Sequence, residues 1–293
     1  MTRSGFVALA GRPNAGKSTL VNRIVGHKVA IVSDKPQTTR RELRGIVTGP
    51  DWQIVLVDLP GMQRPRDPMT ERMQKSVERA MADADALLVV LNGEQEVGAG
   101  DRFIARAAVR SRRSAVTVLN KVDRLARRRT LDALTAAAQL QIPGEIFPVS
   151  ARTGNGVGPL VEHLVALLPE GPFLYPPEEP TDLPVHVRMA ELVREQVLLR
   201  TREELPHAVE VEVAEMFERD DGLLQIEAYL WAEGETQKAI LIGARGRMVK
   251  AIGTAARKQI EAITGARCHL ALRVRVRKDW RRDEGLLDRL GID

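Results

Sequence analysis

Residues 6–25 read FVALAGRPNAGKSTLVNRIV, and this stretch decides the fold of the first half of the chain. Phe6–Ala10 is continuously apolar, as a strand covered on both faces is. Gly11-Arg-Pro-Asn-Ala-Gly16-Lys17-Ser18 then matches G-x-x-x-x-G-K-[ST], and Thr19–Val25 has a helical pattern. Strand, glycine-rich turn and helix in that order make a phosphate-binding loop. Glycine serves where the backbone wraps closely around phosphate. The loop amides and the start of the helix supply positive field. Lys17 is expected to reach the β- and γ-phosphates and the Ser18 hydroxyl to ligate Mg²⁺. Gly11, Asn14, Ala15, Gly16 and Thr19 complete the expected phosphate contacts.

Outward from the loop, apolar runs alternate with helical patterns as far as residue 168. Strands are expected at Gly45–Thr48, Gln53–Asp58, Ala86–Asn92, Ala115–Asn120 and Ile146–Ser150. Strands interleaved with helices predict βαβ units and a mostly parallel sheet, an α/β fold. Three strand ends carry chemistry. Asp58-Leu-Pro-Gly61 offers a carboxylate for the Mg²⁺ hydration shell and the Gly61 amide for a γ-phosphate. Asn120-Lys121-Val-Asp123 discriminates the base, because a carboxylate accepts two hydrogen bonds from guanine and adenine has no such donor pair. A site built on such bonds rejects the wrong partner by about 10⁴ or more. Asn120 ties the base-reading loop to the phosphate loop, and the Lys121 stem lies along the base. Ser150-Ala151-Arg152 puts the Ala151 amide near the guanine carbonyl. These motifs in this order select GTP and GDP over ATP.

Between Ser18 and the strand at Gly45, the segment SDKPQTTR (33–40) holds two hydroxyls that can complete the Mg²⁺ shell, Thr39 or Thr38, with Thr39 preferred. The catalytic set is then Lys17, Thr39 and Gly61. The residue after Gly61 is Met62, which cannot orient water. Intrinsic hydrolysis is therefore expected to be slow, with acceleration by a partner or a rearranged loop.

Residues 169–184 carry six prolines (PEGPFLYPPEEPTDLP) and read as a semi-rigid linker between two domains, 1–168 and 185–293. The second domain reads α-β-β-α-α-β. The expected elements are a helix over 186–203, buried on one face, strands over 207–217 and 224–230 around an Asp220-Asp221-Gly222 turn, helices over 237–242 and 247–263, a strand over 269–277 and a short basic tail helix over 279–290. Between its last two helices lies Ile242-Gly243-Ala244-Arg245-Gly246-Arg247, a G-x-x-G loop. With Lys250, Arg257 and Lys258 around it, the loop is expected to bring nucleic-acid backbone close. The order of elements is that of a type II KH domain, a smaller α+β unit.

The formal net charge of +5 is unevenly spread. Residues 1–170 hold 25 Lys and Arg against 17 Asp and Glu, residues 171–236 hold 5 against 16, and residues 237–293 hold 14 against 6. One face of the second domain is thus expected to meet polyanions and the other to repel them. Aromatics are 3% of the chain, which excludes RNA readers that stack bases on rings but suits a KH groove with an aliphatic floor. A single cysteine, Cys268, forms no internal disulfide and fits a reducing compartment. The longest aliphatic run is too short to span a bilayer, and the N-terminus does not read as a signal peptide. A cytoplasmic monomer is expected. Arg127-Arg128-Arg129 reads as a solvated helix start, and the five histidines show no ligand spacing.

GRPNAGKSTLVN (11–22), QTTR (37–40), DLPG (58–61), NKVD (120–123) and SAR (150–152), followed by REELPHAVEVEV (202–213) and the G-x-x-G domain, closely resemble the bacterial Era GTPases over essentially the whole chain. The resemblance implies a GTP-switched factor in 16S rRNA maturation and 30S ribosomal subunit assembly. It implies a KH domain that binds the single-stranded 3′ region of 16S rRNA, and a loose, peripheral association with the inner membrane. A hydrophobic residue after the D-x-P-G glycine also resembles the family. Two alternatives stand beside it: a GTPase of tRNA modification or large-subunit assembly, and a constitutive RNA-binding protein with only a regulatory nucleotide site.

Overall fold

The computed structural model describes residues 1–62, 65–203 and 205–292; Glu204, within the stretch 202–213, and the C-terminal Asp293 lie outside them. In the first domain β1 (Arg3–Gly11) leads to α1 (Lys17–Val25), β2 (Leu43–Thr48), β3 (Trp52–Asp58), α2 (Pro68–Asp83) and β4 (Ala86–Asn92). Then follow α3 (Ala99–Ser111), β5 (Ser114–Asn120), α4 (Arg127–Ala138), β6 (Ile146–Pro148) and α5 (Val157–Leu167). The sheet order is β2-β3-β1-β4-β5-β6, antiparallel only between β2 and β3. Val7 and Leu9 of β1 pack with α1 and α5 on one face, while Ala8 and Ala10 pack with α2, α3 and α4 on the other. Burial on both faces is why these strands are apolar without alternation. β6 stops at Pro148, short of the expected Ser150, because the Ser150 N–H turns away to the Asn155 carbonyl (2.9 Å).

Residues 169–184 form no helix and only a single bridge, Arg3 to Glu170. They are nevertheless tied down along the sheet edge. Ser4 Oγ donates to the Pro172 carbonyl (2.6 Å), the Leu174 N–H to Gln53 Oε1 (2.7 Å) and the Ile46 N–H to the Pro180 carbonyl (2.9 Å).

The second domain comprises α6 (Val185–Arg200), β7 (Glu210–Glu218), β8 (Leu224–Ala232), α7 (Glu235–Ile242), α8 (Arg247–Thr264), β9 (Cys268–Val276) and α9 (Glu284–Arg289). β7 and β8 are antiparallel around the expected turn, where Gly222 has φ +73°, and β8 and β9 are parallel. Ile226, Ala228, Leu230 and Ala232 alternate inward from β8 against α6 and α8.

Three expectations need correction. The strand begins at Glu210 rather than His207, because Leu205–His207 form a 3₁₀ turn whose carbonyls are taken by an arginine of the first domain. α6 is buried on its polar face as well as its apolar one: Glu191, Arg194, Glu195 and Gln196 are all covered. The tail is not a free basic helix. Trp280, Leu286, Leu287, Leu290 and Ile292 are buried together with Met69 and Met73 of α2. Its arginines are engaged inside the fold: Arg281 with Glu233 (3.3 Å) and Asp67 (3.6 Å), Arg289 with Glu212 (3.6 Å).

The same two surfaces join the domains. Arg40 and Glu210 are both fully buried, 2.8 Å apart, and Arg40 also donates to the carbonyls of Pro206, His207 and Val209. Arg41 pairs with Glu191, and Arg194 donates to the Thr38 carbonyl. Lys28 Nζ meets Glu195 (2.5 Å). Much of the acidic block at 171–236 is thus a docking surface for residues 28–41, which sequence charge alone reads as a side that phosphate avoids.

Candidate active site and nucleic-acid interface

The first site gathers at the C-terminal ends of β1, β3 and β5, where open α/β sheets place their ligands. Gly11 closes β1, and a Cβ there would lie 2.6 Å from the Val90 carbonyl. Gly16 has φ +94°, and a Cβ there would meet Asn120 Nδ2 at 2.3 Å. Both glycines are therefore demanded by the fold itself. No side chain caps the start of α1, so its first amides face the loop unpaired, a ready anion site. Lys17 is buried, its Nζ donating to the carbonyls of Gly11 (3.1 Å) and Arg12 (3.3 Å). Burial lowers its ammonium, with Asp58 opposing.

Ser18, Thr39 and Asp58 converge. Ser18 Oγ donates to Asp58 Oδ2 (2.6 Å) and lies 3.0 Å from Thr39 Oγ1, itself 3.4 Å from the same carboxylate oxygen. Thr38 faces elsewhere, bonded to Ser33 Oγ (2.6 Å) and the Lys35 carbonyl (2.7 Å). Asp58 is fully buried and its Oδ1 has no hydrogen-bond partner among the described residues. Burial raises the carboxyl, and Lys17 with the hydroxyls of Ser18 and Thr39 pulls it back. A buried carboxylate oxygen without a partner beside two hydroxyls fits a hard divalent cation. Gly61 lies against the phosphate loop, where a Cβ would meet Pro13 at 2.8 Å. Met62 is buried in the core. Asn14 bonds the Asp34 carbonyl (2.7 Å), which folds residues 31–39 over the loop and Thr19 into one cleft.

Asn120 joins three loops. Its Nδ2 donates to the Ala15 carbonyl (2.9 Å), and its Oδ1 accepts from the N–H of Ala151 (3.0 Å) and of Lys121 (2.8 Å). Lys121 Nζ pairs with Glu94 (3.2 Å). Asp123 accepts from Ser150 Oγ (2.7 Å) and Arg152 Nε (3.0 Å). The Ser150 bond, with Arg152 beside it and slight burial opposing, holds its carboxyl below the usual range. Asn92 Nδ2 reaches the Asn14 carbonyl (3.5 Å), a contact sequence reading did not anticipate.

The second site lies about 243–257. Between α7 and α8, Gly243 (φ +71°), Arg245 (φ +52°) and Gly246 (φ +74°) all adopt left-handed backbone. A Cβ on Gly243 would strike Met248 (2.7 Å), whereas one on Gly246 would meet open space. Gly243 therefore serves the turn, and the Gly246 side of the loop is open to a ligand. Arg245, Arg247, Lys250, Arg257 and Lys258 make no ion pair among the described residues. By contrast Arg273 pairs with Glu227 (3.1 Å) and Arg275 covers the Tyr229 ring (3.6 Å). The basic face is thus narrower than the charge count suggests. Beside the loop runs a groove of about 310 Å³ between α8 and β9, floored by Val249, Gly253, Leu270 and Leu272 and edged by Lys250, Arg257 and His269. Sequence pattern assigns the floor residues to the core. Only the pairing of α8 with β9 shows that they also line a groove.

Similar proteins agree with this two-part arrangement. The family described as "50S ribosome-binding GTPase" matches residues 6–121 and the KH domain family matches residues 204–281. GTPase Era of Mycolicibacterium smegmatis is 44% identical over 295 residues, covering 99% of each chain. The crystal structure of Aquifex aeolicus Era bound to GDP·AlF₄⁻ superposes with a TM-score of 0.95 at 32% identity, covering 99% of each chain. Era in complex with MgGDPNP and nucleotides 1506–1542 of 16S ribosomal RNA gives 0.95 at 33% identity, covering 100% of this chain and 99% of that one.

Proposed function

This chain belongs to the Era family of GTPases, and from that premise we propose that it hydrolyses GTP to GDP and phosphate to time its hold on ribosomal RNA. The division into residues 1–168, a strap over 169–184 and an RNA-binding domain over 185–293 follows the same reading. The observation that carries the coupling is the junction at residues 38–41. Thr39 faces Ser18 and Asp58, its neighbour Thr38 accepts from Arg194, and Arg40 and Arg41 enter the buried ion network of the second domain. A change at the γ-phosphate therefore reaches the RNA-binding domain through one residue.

GTP would lie along the phosphate loop, its phosphates on the α1 amides and Lys17, with Gly61 approaching the γ-phosphate. Ser18 and Thr39 would hold Mg²⁺, with Asp58 turned towards its hydration shell. The ion supplies charge neutralisation on the phosphates. Asp123 would read the guanine, and the Ala151 N–H, which donates to Asn120 Oδ1 here (3.0 Å), would share its hydrogen with the guanine carbonyl. Asn120 keeps both near the phosphate loop through the Ala15 carbonyl. Lys121 and Arg152 flank the base. Met62, buried, orients no water, consistent with a slow intrinsic rate.

The second domain takes single-stranded RNA along the groove between α8 and β9, with backbone held at Ile242–Arg247 and by Lys250, Arg257 and Lys258. The relative seen with a 16S rRNA fragment supports that RNA, its 3′ region, and through it a role in 16S rRNA maturation and 30S subunit assembly. No helix among the described residues is long and apolar enough to cross a membrane. The same proposal takes the protein as a cytoplasmic monomer with peripheral contact to the inner membrane. RNA affinity is expected to differ at least severalfold between a GTP analogue and GDP in equilibrium titrations. Equal affinities would reduce the nucleotide site to a bystander. Gly246→Asp is expected to weaken RNA binding by tenfold or more, since it adds negative charge at the open side of the loop and strains φ +74°. GTP binding and hydrolysis should not change, and their joint loss with RNA binding would contradict separate sites.

A further inference from the structure

Gln37 lines the nucleotide cleft together with Lys17, Ser18, Thr39 and Gly61. It is half-buried there, and its amide makes no hydrogen bond among the described residues. The other amide side chain on this cleft, Asn14, already donates to the Asp34 carbonyl (2.7 Å). The Gln37 backbone is left-handed, with φ +58°.

That conformation works against the residue that adopts it. Pro36 and Gln37 form the centre of a turn closed by the Thr38 hydroxyl on the Lys35 carbonyl (2.7 Å). Proline followed by a left-handed residue is the type II pattern. Glycine or asparagine is the usual choice at that third position, because a longer side chain crowds the backbone. Glutamine has neither glycine's freedom nor asparagine's short local hydrogen bond. The turn by itself is better served by glycine, and the side chain returns no hydrogen bond to the fold. A residue held at such a cost on the wall of a cleft points to a ligand.

The surroundings say which part of the ligand. Thr39 is two residues on, at most about 7 Å along the chain. Its hydroxyl converges with Ser18 and Asp58, where the γ-phosphate end of GTP belongs. A glutamine amide carries an acceptor and a donor on one group. Its oxygen can accept from a water while its NH₂ donates to a γ-phosphate oxygen, which is how a water is aimed at phosphorus. Met62 is buried and offers neither.

We infer that Gln37 is a catalytic residue of GTP hydrolysis, supplying from the segment 33–40 the water-orienting amide that position 62 lacks. The inference rests on the GTPase reading above. In the step, the water oxygen bonds to the γ-phosphorus. The bond from that phosphorus to the bridging oxygen breaks, its electron pair stays on GDP, and the water proton ends on the released phosphate. Gln37 takes no proton; it orients the water. The amide is in reach only while segment 33–40 is folded over the cleft, which agrees with a slow intrinsic rate.

The test uses the full-length protein and three readouts: single-turnover phosphate release, affinity for a nonhydrolysable GTP analogue, and the thermal unfolding midpoint. Gln37→Gly removes the amide and relieves the left-handed backbone. Hydrolysis is expected to fall at least about tenfold, with analogue affinity changed no more than a few-fold and a midpoint no lower than the parent's. Gln37→Glu keeps the reach but adds a charge that repels the γ-phosphate. Its rate relative to the parent should rise several-fold as pH falls from about 7 to 5, since a protonated carboxyl again offers a donor and an acceptor. A side chain with only a structural role would show no such recovery. Gln37→Gly hydrolysing within about threefold of the parent overturns the inference. So does a lost rate matched by lost analogue affinity or a lower midpoint, which would leave Gln37 a part of the cleft or of the fold. Failure of the GTPase reading is separately visible, because the parent itself would then release no phosphate.

Discussion

Asp123→Asn is expected to lower GTP affinity by about 10⁴ or more and to create affinity for XTP. The carboxylate is only 11% exposed and accepts from Ser150 and Arg152. Two oxygens carry about four lone-pair sites, so room remains for the ring N–H and exocyclic amine of guanine. An asparagine amide presents one acceptor and one donor. Its NH₂ would face the guanine amine, donor against donor. Xanthine has a carbonyl where guanine has that amine, so the same amide pairs fully with it. Calorimetric titration of both nucleotides checks this. A variant that keeps GTP affinity within tenfold of the parent would show that the base is read elsewhere. The side chain is nearly isosteric, so the thermal midpoint without nucleotide should move little.

The second large effect lies at the junction. Arg40→Met is expected to destabilise the docked arrangement by about 3–5 kcal/mol, the usual cost of stranding one member of a buried pair. Glu210 would keep Arg41 (3.4 Å), Arg194 (3.6 Å) and the Val211 N–H (3.1 Å), and the carbonyls of Pro206 and Val209 would lose the Arg40 donors, while that of His207 would keep Arg281. The effect should appear as protease cleavage in 169–184 and a lower unfolding midpoint, with GTP affinity changed only a few-fold. Combining it with Glu210→Leu should recover much of the stability while abolishing the nucleotide dependence of RNA affinity. A single variant within about 1 kcal/mol of the parent would mean the pair is not what holds the domains. The pH sign is fixed by the same contacts. Burial pushes the Glu210 carboxyl up, but Arg41, Arg194 and Arg40 together hold it at about 2, against an ordinary 4.5. Its contribution to docking is therefore complete above pH 4.5 or so and is lost as pH falls towards 2.

How legible these features were depends on how local their physics is. The phosphate loop reads directly from Gly11–Ser18, because strand, turn and helix lie within twenty residues and glycine is required by backbone geometry alone. Four strands of the first sheet, β1, β3, β4 and β5, read as apolar runs because burial on both faces leaves no alternative pattern. Asn120 was readable as a tie only by position; the carbonyl it reaches, on Ala15, lies 105 residues away. Thr38 and Thr39 are chemically alike, and only the folded segment turns one towards Asp58 and the other towards Lys35.

The polar face of α6 and the tail were misread for one reason. A charged side chain is taken as solvated unless its partner is known, and here the partners are distant in the chain, several of them in the other domain. Glu191, Glu195 and Glu210 look like a surface that avoids phosphate until Lys28, Arg40 and Arg41 are brought against them. Leu286, Leu287 and Leu290 look like a minor stripe on a basic tail until α2 covers them. Sequence by itself determined the chemistry, because motifs fix which atoms lie at each strand end. Tertiary structure alone decided how that chemistry is joined to RNA binding, because the contacts that join them span 150 residues or more and leave no periodicity in the chain.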